Sequence, residues 1–91
     1  MSGANITFSV HPGADLKIGT FYSQIEAYWD KMADTFGENN IEHVVFNRST
    51  QFMIEVESEA IFTLFMIKYP PSQYQLVIAG VCVEESAGVN V

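Results

Sequence analysis

The spacing of apolar residues changes from one period to another early in the chain, and that change limits the fold more than any other feature. Ile6, Phe8 and Val10 alternate with Thr7 and Ser9, the period of two that buries one face of a strand. His11-Pro12-Gly13 is expected to stop that strand, because proline removes a backbone donor and Pro-Gly favours a turn. From Thr20 onward, Phe21, Ile25, Tyr28 with Trp29, Met32 and Phe36 recur at spacings of three and four, with Gln24, Glu26, Asp30, Lys31 and Asp34 between them. This is the stripe of an amphipathic helix of about 17 residues. Thr20 is placed to cap its start, and Gly37 suits the left-handed residue just past its end.

The second half repeats the alternation. Ile41 to Phe46 is rich in β-branched and aromatic residues, and Asn47-Arg48-Ser49-Thr50 has the composition of a tight connection. Beyond it, Phe52, Ile54 and Val56 alternate with Met53, Glu55 and Glu57, so residues 51–57 form a strand paired antiparallel with the preceding one. Ser58 to Tyr69 fits neither template cleanly. As a helix it has Ser58 as N-cap, Glu57 and Glu59 at the positive end of the dipole, Lys68 at the negative end and Pro70-Pro71 as a stop. As a strand it would need a turn at Ser58-Glu59, residues poorly suited to positive φ, so the helix is favoured. Tyr74 to Val83 is an apolar run consistent with a buried final strand, with Gly80 marking a bulge.

The resulting order is β-α-β-β-α-β. Two split units of this kind make an α+β fold, the ferredoxin-like plait, with a four-stranded antiparallel sheet and both helices on one face. Residues 1–85 are read as one domain, and 86–91, small and polar, as a flexible tail. The plait hosts many unrelated functions, so the fold leaves function open.

Composition narrows the classes. Seven Phe, four Tyr and one Trp within a 48% hydrophobic chain of 91 residues supply a dense interior for one small domain. Eleven Asp and Glu against four Lys and Arg give a net charge of −7, which argues against direct binding to nucleic acid or to an anionic membrane. Phe8 and Phe52 are of the type that stacks on bases in an RNA-binding sheet, but they lie on the apolar alternating faces, while Glu55 and Glu57 point outward and would repel phosphate. Cys82 is the sole cysteine, so neither an internal disulfide nor a cysteine zinc site is expected. No basic leader or membrane-length apolar run is seen, and the chain reads as soluble and cytoplasmic. Nucleotide-binding glycine motifs and a nucleophile elbow are missing. No cofactor or metal is expected, and the protein is read as non-enzymatic.

The acids carry the most information. Glu26, Asp30 and Asp34 stand at i, i+4 and i+8, with Glu38 beyond the helix end. Carboxylates so placed rise about 6 Å per step along one side of a helix, near the phosphate spacing of a nucleic-acid strand. Only Lys31 can relieve them locally. Such a line can occupy the basic groove of a nucleic-acid-binding partner as a decoy. The same acids also suit an ordinary solvated face, since charge runs are commonly that.

The run Ile54-Glu55-Val56-Glu57-Ser58-Glu59-Ala60-Ile61-Phe62, followed by Phe65-Met66-Ile67-Lys68-Tyr69, resembles a strand-then-short-helix pattern of small accessory proteins of large tailed phages. The resemblance carries over no site residues. It implies a protein acting in the host cytoplasm, in a group that includes inhibitors of host or defence machinery. The leading expectation is therefore a binding module that docks on a basic protein, such as a nucleic-acid-binding one, through Glu26, Asp30, Asp34 and Glu38. A second expectation is an assembly module that self-associates, as a homodimer, through its open sheet face or an edge strand. A third is a small-molecule site built from His11, Asp15, His43 and Cys82, which requires those side chains to converge.

Overall fold

A computed structural model describes residues 3–85; the expected tail, 86–91, lies outside the described residues. The chain runs β1 (Ala4–Pro12), α1 (Ile18–Phe36), β2 (Ile41–Val45), β3 (Thr50–Val56), α2 (Glu59–Lys68) and β4 (Leu76–Glu85), with short 3-10 turns at Glu38–Asn40 and Pro71–Tyr74. The strands form one antiparallel sheet in the order β2-β3-β1-β4. Each β-α-β unit thus leaves a gap that a strand of the other fills, the arrangement of a ferredoxin-like plait.

Alternation on the two central strands builds the floor of the core. Ala4, Ile6, Phe8 and Val10 of β1 and Phe52, Ile54 and Val56 of β3 are all buried, and Phe8 pairs with Phe52 across the ladder with ring centroids 5.6 Å apart. Both rings face the helices. The outward positions of these two strands hold Asn5, Thr7, Ser9, Gln51, Met53 and Glu55, none of them aromatic.

Pro12 does not end β1 where the sequence predicts. The pairing of β1 with β3 stops at Val10 opposite Thr50, whereas pairing with β4 continues through Pro12 opposite Leu76. At its last two residues β1 is therefore an edge strand, where a missing N–H is tolerated.

Helix α1 also departs from expectation at its start. It begins at Ile18 after Lys17, whose side chain makes no capping hydrogen bond. Phe21 N–H already donates to the Lys17 carbonyl at 2.8 Å, so Thr20 lies inside the first turn rather than before it. The first turn is exposed, and water can serve its free amides. The C-terminus follows expectation more closely: Gly37 has φ 94° and donates to the Ala33 carbonyl at 3.0 Å, a conformation open mainly to glycine. Asn40 Nδ2 donates to the Phe36 carbonyl at 2.8 Å.

Segment 58–69 contains a helix. Ser58 Oγ accepts from the Ala60 N–H at 3.1 Å, with Glu59 in the first turn and Lys68 in the last. Its cover within the chain is only partial. Phe62 and Phe65 point into the core, while Leu64 and Ile67 are 65% and 71% exposed, because ten residues crossing a sheet already covered by α1 bury only one stripe.

The final strand is likewise not a buried one. It starts at Leu76, after Tyr74 has closed a 3-10 turn, and it lies at the sheet edge with Val77 and Val81 exposed. The expected bulge is present: Thr7 pairs with Cys82 and Ser9 with Ala79, leaving one extra residue on β4, where Gly80 takes φ 66°.

Candidate functional site

The four acids named from sequence are all exposed: Glu26, Asp30 and Asp34 on α1, and Glu38 in the turn that follows. The buried stripe of α1, Phe21, Ile25, Tyr28, Met32 and Phe36, pins the opposite side of the helix to the sheet. The acids must then remain in water. Lys31 does not neutralise them, since its ammonium lies over the Tyr69 ring, 5.4 Å from the centroid.

The structure divides the acids into two parts. Glu26 and Asp30 stand along an open groove of about 580 Å³ between α1 and β2, shared with Tyr22, Ile25, Trp29 and His43. Asp34 and Glu38 lie beyond it. A straight helix explains the separation, because each step of four residues turns 40° past a full circle and the line winds around the helix. The groove is closed at one end by Tyr22, whose hydroxyl donates to the Phe46 and Asn47 carbonyls at 3.2 and 3.1 Å. His43 packs against Phe52 with ring centroids 5.6 Å apart. The Trp29 indole N–H is shut off from solvent and has no acceptor among the described residues.

The aromatic part of this site does not follow from the helical stripe. Trp29, which the spacing puts with Tyr28 in the core, is only partly buried, and Tyr22 is exposed. The available signal was spacing: Tyr22, Glu26 and Trp29, at steps of four and three, flank the main stripe on one side.

The third expectation fails on geometry. His43 pairs with Phe52 and faces the helices, whereas His11 follows the buried Val10 and faces the other side of the sheet. Cys82 is exposed opposite Thr7 on that second side, and Asp15 lies in the loop before α1. The four side chains do not converge, because successive strand residues point to opposite faces. Among the described residues, no group of three or more His, Cys, Asp or Glu is placed to hold a metal ion.

One buried group is electrostatically perturbed. The Tyr28 phenol is pushed above its ordinary range by burial and, secondarily, by Tyr74. Its hydroxyl donates to the Tyr69 carbonyl at 3.3 Å, so it ties α1 to the end of α2. Among the described residues no helix is long and apolar enough to cross a membrane.

Compared with protein-family models, curated proteins and solved structures, the chain matches none.

Proposed function

We propose that the protein is a non-enzymatic binding module that docks on a basic protein partner through the acidic face of α1. The observation that carries this reading is the exposure of Glu26, Asp30, Asp34 and Glu38 with the helix's own lysine turned away to Tyr69. A partner whose basic groove binds nucleic acid offers the complementary charge. An inhibitor of host or defence machinery, encoded by a phage and acting in the host cytoplasm, is the biological role this chemistry serves. The test is capture of basic proteins from a bacterial lysate at two salt concentrations, with the triple variant Glu26→Lys/Asp30→Lys/Asp34→Lys as control. Charge docking predicts capture that weakens from low to physiological salt and is lost in the variant. Capture equal in both proteins refutes the reading.

A second reading, self-association, draws on a different surface. Val77 and Val81 on the β4 edge, with Leu64 and Ile67 on α2, leave apolar side chains in solvent. Light scattering on a size-exclusion column decides it, and a monomer at high micromolar concentration removes it.

A further inference from the structure

The two edges of the sheet are not equivalent. β4 is interrupted by the Gly80 bulge and ends in Glu84 and Glu85, devices that discourage a further strand. β2 has neither a bulge in its register with β3 nor a lysine or proline between Ile41 and Val45. Among the described residues it pairs only with β3, so half of its backbone donors and acceptors face outward. Val44, Val45 and Phe46 beside them are about half exposed.

This open edge borders the groove that holds Glu26, Asp30, Tyr22 and Trp29. A strand added next to β2 would lie about 4.8 Å away, with every second side chain directed toward the helix layer and such side chains about 6.8 Å apart. Glu26 and Asp30 are about 6 Å apart along α1. The two repeats agree closely enough for consecutive helix-facing residues of the added strand to meet consecutive acids.

We propose that the groove takes an extended basic segment of the partner as a fifth strand on β2, with Lys or Arg at alternate positions facing Glu26 and Asp30 and lying against Tyr22 and Trp29. Main-chain hydrogen bonds to β2 hold the segment, and the acids and aromatic rings select its charge. The inference rests on α1 being the docking face and adds the mode of docking. A second copy of this chain is a poor occupant, because pairing two β2 edges would bring together the acids of both α1 helices in a protein of net charge −7.

The test uses the whole protein and four synthetic nonapeptides: one alternating Val and Lys, one of the same composition with its lysines in a block, and two alternating ones N-methylated on alternate amides, one in each phase. Trp29, the one tryptophan, reports binding by fluorescence, and amide exchange reports on β2. The alternating peptide should shift Trp29 emission and protect amides within Ile41–Val45. The block peptide should bind more weakly. If N-methylation falls on the amides that face β2, the peptide should bind about tenfold more weakly, as loss of one or two main-chain hydrogen bonds requires; both methylation phases are tested, and one must show this loss. Glu26→Gln/Asp30→Asn should weaken the alternating peptide and reduce its salt dependence.

Equal binding of all the peptides without protection of β2 overturns the strand-addition mode but leaves charge docking by α1 intact. Absence of binding at low salt overturns the proposal, while the lysate comparison separately decides the broader reading. Protection of β2 that rises with the protein's own concentration assigns the edge to a second copy and also overturns it.

Discussion

Phe65→Ala tests the orientation of α2, on which the closure of the core depends. Phe65 is 2% exposed, and its ring lies 5.5 Å from Tyr28, 5.1 Å from Phe36 and 5.4 Å from Tyr69, centroid to centroid. It therefore joins α2 to the C-terminal half of α1. Truncating a buried phenylalanine costs about 3–5 kcal/mol, including the cavity left behind. Three aromatic neighbours keep Phe65 off the lower end of that range, at about 4 kcal/mol. A domain of this length is stabilised by about 5–14 kcal/mol, so a large share of the total is at stake. With a urea m-value of about 1.5 kcal/mol/M, the unfolding midpoint should fall by about 2.5 M at unchanged m. Leu64→Ala, one residue earlier but 65% exposed, should change stability by no more than about 0.5 kcal/mol. The contrast between these neighbours matters more than either value. If Leu64→Ala costs as much as Phe65→Ala, or if Phe65→Ala costs less than about 1 kcal/mol, α2 is rolled about its axis and the described core is wrong.

Other consequences follow from single contacts. Gly37→Ala should destabilise by more than about 1 kcal/mol in thermal or urea unfolding, because φ is 94° and the new Cβ would stand 3.1 Å from Asn40 Nδ2. Ser58→Ala should cost about 1 kcal/mol through loss of the cap on Ala60 N–H, with Ser58→Asp restoring most of it. The triple reversal at Glu26, Asp30 and Asp34 should leave the fold intact by circular dichroism, each exposed site contributing no more than about 0.5 kcal/mol. For Tyr28, the folded phenol is raised above its unfolded value near 10. Stability from keeping it neutral is then complete below about pH 10 and lost as pH rises further. Absorbance titration should show Tyr28 ionising only with alkaline unfolding, and Tyr28→Phe should remove that part of the pH dependence.

Local pattern was enough to define most of the elements. The alternation of Ile6, Phe8 and Val10, the stripe from Phe21 to Phe36 and the cap-and-stop signals around Ser58 and Pro70 each describe a segment whose partner face must be apolar, so strand, helix and buried side follow together. The acids of α1 were legible for the same reason: a helix with one apolar stripe exposes what lies opposite. What the sequence could not decide was which apolar residues lack a partner. In α2 the residues are apolar almost all round, and only its seat beside α1 separates Phe65 from Leu64. In β4 the run reads as buried, yet its place at the sheet edge leaves Val77 and Val81 in water. The groove that gathers Glu26, Asp30, Trp29 and His43 joins a helix to a strand with which it shares no periodicity. Periodicity acts along one segment, whereas edges and grooves arise between segments, so only the tertiary arrangement could place them.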